Sequence, residues 1–158
     1  MKKILSTLAL LACVSFASAE VVAHYDFEGE FKPLKVWGDT PNKVVGANLA
    51  KDSQKAIEVK TGTYLEFHVQ KPKTSYTLTL DMKHMWGKNP PRVVVAGIDP
   101  DLKKLADLKY VDVTIDKNYQ KITLKFKTKV SGYHRVTIIP GLQSGGCVIV
   151  DNLKLESK

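Results

Sequence analysis

The stretch Cys147-Val148-Ile149-Val150-Asp151-Asn152-Leu153-Lys154-Leu155 constrains the fold more than any other. It is a nearly continuous apolar run broken by one Asp-Asn pair. Successive side chains of a strand point to opposite faces, so Val148 and Val150 share one face. Leu153 and Leu155 share a face too, but in the opposite phase. A one-residue bulge at Asp151-Asn152 puts all four on the same core. A carboxylate inside such a strand needs a partner, because an unpaired buried charge is expensive. A cation, backbone N–H groups or the chain's own N-terminal segment would serve.

The rest of the chain repeats short alternating runs. Tyr76, Leu78, Leu80 and Met82 face one way, with Thr77, Thr79, Asp81 and Lys83 opposite. Ile122, Leu124 and Phe126 alternate with lysine and threonine, and Leu65, Phe67 and Val69 form a third inward set. Val21, Ala23, Tyr25 and Phe27 share a face of a first strand, and Val111, Val113 and Ile115 share one of a later strand. Val93 to Ile98 is an apolar run expected in the middle of a sandwich. The spacing predicts one short helix at most, over 99–109 around Leu102, Leu105 and Leu108, opened by Pro100. Residues 30–43 read as an irregular segment around Trp37, and 84–91 as a loop carrying Trp86. With no βαβ spacing, the pattern predicts an all-β fold: an antiparallel β-sandwich with nine or ten strands.

The first nineteen residues read as an export signal and the remainder, 20–158, as one domain. Lys2-Lys3 is a positive start, Ile4 to Phe16 an apolar stretch, and Ala17-Ser18-Ala19 a small-x-small cleavage site. The apolar stretch is too short to span a membrane. A periplasmic or secreted location follows; a lipobox reading of Leu10-Leu11-Ala12-Cys13, anchoring the chain at Cys13, is the minor alternative. Cleavage leaves Cys147 as the one cysteine, so no internal disulfide is expected. The formal charge of +8 becomes +6 without Lys2 and Lys3, and Arg92 and Arg135 are the sole arginines. Lysines alternating along strands, with so little arginine, argue against a nucleic-acid reader and for a solvated sheet face. Such a face offers an acidic polysaccharide, an anionic envelope or an acidic partner protein a complementary surface.

From Tyr25-Asp26-Phe27-Glu28-Gly29 to Val150-Asp151-Asn152-Leu153, by way of Tyr76-Thr77-Leu78 and the segment from Tyr119 to Phe126, the chain resembles the jelly rolls of carbohydrate-binding modules. The likeness is to families of the 4, 9 and 22 type, appended to xylanases and glucanases. Laminin-G-like sandwiches open with a similar motif, so the opening alone does not discriminate. The resemblance implies a non-catalytic module that binds a polysaccharide or other glycan. It also implies a structural calcium between the first and last strands, held by Asp26 or Glu28 and by Asp151.

Sugar rings stack their C–H faces on aromatic side chains. The candidates are Trp37 and Trp86 in Gly/Pro-rich loops, and Tyr64 and Tyr133 opposite their strands' core residues. Glu66 and His68 stand beside Tyr64, and Arg135 beside Tyr133, as polar company. A tryptophan in a small sandwich also serves as a plug over one end of the core. His24, His68, His84 and His134 show no metal-ligand spacing. No nucleophile elbow, zinc-protease motif or P-loop is present. Glu58 with Glu66, or Asp81 with Glu28, are the carboxylate pairs a glycosidase would have to use, and their spacing does not recommend them. The leading expectation is therefore a non-enzymatic glycan binder. The rival is an envelope protein that kept the sandwich and has no sugar site.

Overall fold

The structure, a computed structural model, describes residues 19–28, 35–36, 43–46, 48–51, 54–60, 62–98, 104–141 and 145–158. The expected export signal, Cys13 and Trp37 lie outside these residues. Eleven strands are present among the described residues, and no helix. In chain order they are β1 (Glu20–Tyr25), β2 (Lys35–Val36), β3 (Lys43–Gly46), β4 (Lys55–Val59), β5 (Thr63–Val69) and β6 (Ser75–Trp86). They continue as β7 (Arg92–Ile98), β8 (Leu105–Asp112), β9 (Gln120–Lys127), β10 (Gly132–Ile139) and β11 (Cys147–Ser157).

The strands form two antiparallel sheets. The six-stranded sheet runs β3-β4-β11-β6-β9, with β1 as its sixth strand beside β11, and the five-stranded sheet runs β2-β5-β10-β7-β8. β11 is the spine of the larger sheet. One edge pairs with β4 at Val148–Val150 and then with β1 from Leu153 onward. The other edge pairs with β6 along the whole strand. The inner rows of the two sheets meet in one core, which includes Leu78, Leu80, Met82, Val93, Val95, Val136 and Ile138. Each such side chain contributes up to about 1.5–3 kcal/mol by leaving water, an upper value because the unfolded chain is already partly collapsed.

The bulge in the last strand is present. Asp151 pairs with Asp81 and Lys154 with Thr79, so three steps on β11 match two on β6. Asn152 takes the extra place with φ of 50°, a left-handed conformation that asparagine tolerates better than most residues. Val148, Val150, Leu153 and Leu155 consequently all enter the core, each at most 1 % exposed.

Four local expectations are corrected. Where a helix was expected, residues from Leu105 onward form β8, paired in register with β7 from Ile98↔Leu105 to Arg92↔Asp112. A sheet neighbour overrode the leucine spacing, and a register shift at Val95/Ala96 absorbs the irregular phase. Residues 84–86 extend β6 rather than opening a loop. Ile115 lies beyond the strand and is exposed, whereas Val113 stays buried. Val21 is exposed as well, because a register shift between Val21 and Ala23 breaks the alternation of β1.

Candidate functional site

Val93, Val95, Val136, Ile138, Phe67 and Val69 point into the core, so the residues between them face outward from the five-stranded sheet. Register aligns these outward residues into rows across β5, β10, β7 and β8. One row is Tyr64–Thr137–Val94–Tyr110, and the next is Glu66–Arg135–Ala96–Asp107. A tyrosine thus stands at each end of a row whose middle is two small β-branched residues, Thr137 and Val94. Three inter-strand steps separate the two tyrosine backbones by about 14 Å.

Each tyrosine carries an arginine. The Arg135 guanidinium lies 4.1 Å from the Tyr64 ring centroid, and that of Arg92 lies 4.3 Å from the Tyr110 ring centroid. Each guanidinium is in turn held by a carboxylate. Arg92 donates from Nε and Nη2 to the two oxygens of Asp112 at 2.6 and 3.0 Å, and Arg135 Nη2 donates to Glu66 Oε1 at 2.9 Å. The Arg92 fork holds the Asp112 carboxyl below the usual carboxylate range and raises the arginine in return. Between the two arginine–tyrosine pairs lies a groove of about 240 Å³, floored by Val94, Ala96, Thr137 and Ile139. Val94 and Thr137 face outward yet are 6 % and 3 % exposed, so the flanking side chains of the same face cover them.

The structure therefore brings Tyr64, Tyr133 and Arg135 together on one face. Tyr133 is 63 % exposed and packs edge-on against His68, with centroids 5.3 Å apart. Trp86 belongs elsewhere: it ends β6 in the other sheet, pairs with Cys147 and is half exposed. Trp37 lies outside the described residues. Sequence reasoning missed Tyr110, Arg92 and Asp112. The signal was available in Arg92 and Arg135, the chain's two arginines, which both fall on this face. The expected helix hid Tyr110 by misplacing the start of its strand.

The residues expected to hold calcium form a clamp on the segment before β4. Asp151 accepts from the backbone N–H of Lys51 at 3.1 Å and of Asn152 at 2.8 Å. Glu28 Oε1 accepts from the backbone N–H groups of Gln54 and Lys55, and the Lys55 ammonium reaches the Glu28 carbonyl at 3.1 Å. Asp26 Oδ1 accepts from the Glu28 N–H at 3.2 Å. Calcium takes six to eight oxygens, and the described partners here are N–H groups and an ammonium. Among the described residues, no three His, Cys, Asp or Glu side chains gather as a metal cluster.

Glu58 and Glu66, a carboxylate pair that the sequence did not recommend for catalysis, are split. Ile57 and Val59 face the core from β4 as Phe67 does from β5, so the two glutamates lie on opposite outer faces of the sandwich. Cys147 is buried beside Glu58, with Sγ 3.7 Å from Oε1, and burial followed by that carboxylate pushes its thiol up to about 11. Such a thiol stays protonated and unreactive at neutral pH.

No protein-family pattern matches the chain, and no characterised protein matches it by sequence. Solved structures do. The CBM22-1–GH10 modules of Clostridium thermocellum endo-1,4-β-D-xylanase 10B, complexed with xylohexaose, align with a TM-score of 0.68 and 18 % identity. That alignment covers 87 % of this chain and 28 % of the xylanase chain, so this chain spans under a third of that protein. The CBM22-1 xylan-binding domain of Paenibacillus barcinonensis Xyn10C gives 0.66 and 12 %, covering 89 % of this chain and 96 % of that one. The family 11 module of the Clostridium thermocellum cellulase Lic26A-Cel5E gives 0.55 and 15 %, covering 87 % and 94 %. The chain thus has the two-sheet β-sandwich fold of the carbohydrate-binding modules.

Proposed function

We propose that the chain is an exported, non-catalytic glycan-binding module whose five-stranded sheet holds an uncharged polysaccharide between Tyr64 and Tyr110. The observation that carries the reading is the row Tyr64–Thr137–Val94–Tyr110, with an arginine over each tyrosine. Sugar C–H faces pack on aromatic rings and apolar floors, while hydroxyls take hydrogen bonds from fixed polar groups at the rim. Arg92 and Arg135 supply those groups, pre-oriented by Asp112 and Glu66. Because each arginine is neutralised by its carboxylate, the face favours neutral chains over acidic ones. Tyr133 and His68 extend it at one end.

Binding without catalysis is supported by the same geometry. Glu66 and Asp107 stand at opposite ends of one row. Glu66 is tied to Arg135 and Asp112 to Arg92, so neither carboxylate is set up as the protonated acid that a glycosidase uses. Export rests on the Lys2-Lys3 start and the Ala17-Ser18-Ala19 site.

The test is calorimetry of the chain from Glu20 onward on xylan, mixed-linkage glucan and galactan, with Tyr64→Ala and Tyr110→Ala beside it. One polymer should bind, and each variant should weaken binding about tenfold while melting close to the parent. A folded parent that binds none of the three sinks the reading. The rival envelope-interaction role would then take its place.

A further inference from the structure

The outer face of the six-stranded sheet has a different character. Register again sets the grid: His24, Lys154, Thr79 and Thr123 form one row across β1, β11, β6 and β9, and Asp81 pairs with Lys121 in the next. At their junction is a recess of about 310 Å³ lined by His24, Lys51, Thr79, Asp81, Lys121, Asn152 and Lys154. Three lysines and a histidine from four separate segments converge on it. Its floor is closed to cations, since both Asp81 oxygens are taken, Oδ1 by the Lys51 ammonium at 3.1 Å and Oδ2 by Asn152 Nδ2 at 3.0 Å.

Lysines along an exposed strand often serve to discourage edge-to-edge pairing, and Lys125 and Lys127 on the edge strand β9 are placed for that. The recess asks for more. The Lys121 side chain is exposed and makes no hydrogen bond or ion pair with a described residue. Lys154 sits on an inner strand, shares a 2.7 Å ion pair with Glu156 and keeps 37 % of its side chain exposed. His24 is exposed beside it.

We propose that this recess is a second glycan site, taking a carboxylate-bearing sugar of an acidic polysaccharide. Lysine ammoniums are point charges suited to one carboxylate, while the forked arginines that favour phosphate and sulfate are both on the opposite sheet. The Thr79 hydroxyl and the Asn152 amide line the recess for sugar hydroxyls, and its volume is of the order of a small-ligand site. The two outer faces would then hold two polymers of different charge on one sandwich.

The probe is polygalacturonate, followed by affinity electrophoresis and calorimetry. Lys121→Gln with Lys154→Gln removes two charges at the recess; Lys125→Gln with Lys127→Gln removes two outside it. The parent should bind, and added salt should weaken it. The recess variant should lose about tenfold in affinity and the outside variant less than about threefold, with all three melting alike. Equal losses in both variants would mean diffuse charge attraction and overturn the proposal, as would no binding by the parent. Binding to phosphatidylglycerol vesicles with none to polygalacturonate would overturn it in favour of a lipid surface. Neutral-glycan binding is measured on the same samples, so failure here is separable from failure of the tyrosine face.

Discussion

Asp151 lies directly opposite Asp81 in the β6–β11 ladder, and both are buried, at 0 % and 5 % exposed. Like charges facing each other in a dry sheet repel strongly unless both are satisfied. Asn152 reconciles them: its backbone N–H donates to Asp151 and its side chain to Asp81. Lys51 does the same from the other side, with its N–H on Asp151 and its ammonium on Asp81. The Tyr119 hydroxyl donates to the Leu49 carbonyl nearby, and burial together with Asp151 and Asp81 raises that phenol well above its ordinary value.

Asn152→Ala should therefore destabilise the fold by about 2–3 kcal/mol, combining a left-handed backbone penalty with loss of a hydrogen bond to a buried carboxylate. Asn152→Gly keeps the backbone freedom and should recover about 1 kcal/mol of that loss. Urea melts of both variants give the comparison; equal losses would deny the backbone's share, and full recovery in Asn152→Gly would deny the side chain's.

Lys51→Ala should cost about 1–2 kcal/mol, reduced from the value for a fully buried pair because the Lys51 side chain is 34 % exposed. Lys51→Met retains the stem and should be little better, since the ammonium on Asp81 is what is lost. A melting temperature unchanged in both would show that Asp81 needs no cation.

Chelation should leave the melting temperature unchanged, because Glu28 and Asp151 hold N–H donors in this fold. Thermal scans with 1 mM calcium or excess EDTA, a range of roughly millimolar affinity, decide it. A fall on EDTA restored by calcium would put an ion in the clamp.

Stability should fall on mild acidification because of His134. Its ring is 1 % exposed, lies 5.6 Å from Phe67 and has Nδ1 3.1 Å from the Gly132 carbonyl. Burial lowers its pKa, His68 adds to that, and the Gly132 contact opposes it. The unfolded chain therefore takes up the proton first. The contribution is complete above the unfolded value of 6.5 and is lost as pH falls from there through the lower folded value. Denaturant midpoints from pH 8 to pH 5 should drop, and less so in His134→Gln. Gly97→Ala tests the same packing: a Cβ there would meet the His134 ring at 2.7 Å and should cost about 1–3 kcal/mol.

Arg92→Lys separates charge from shape. It keeps the cation and loses both the fork to Asp112 and the flat contact with Tyr110. Affinity for the neutral polymer should fall about tenfold, close to the loss in Arg92→Ala. A lysine variant that binds like the parent would reduce the guanidinium to a charge.

The parts of this fold written in local alternation were legible in the sequence. Leu78, Leu80 and Met82 announce β6, and the apolar phases on either side of Asp151-Asn152 announce a bulge before any coordinate is seen. The outward placement of Tyr64 and Tyr133 was legible because their own strands assign them that face. The groove itself was not legible, since it depends on which strand lies beside which. Tyr110 meets Val94 through a β7–β8 register that a shift at Val95/Ala96 displaces, and no local pattern encodes that. Asp151's partners escaped for a related reason: Lys51 is a hundred residues away in the chain.

The extra residue at Asn152 also acts as a parity switch. Upstream of it, even-numbered positions of β11 are interior; downstream, odd-numbered ones are. Lys154, which lines the recess on the outer sheet, is an outside residue solely because the count was broken two positions earlier. Flattening the bulge with every residue kept would turn this strand inside out from that point, drawing the lysine into the core and expelling the two leucines, whereas deleting Asn152 would restore plain alternation and leave both leucines inside. The hydrophobic centre and the charged exterior of this half of the sandwich are thus set by a single count.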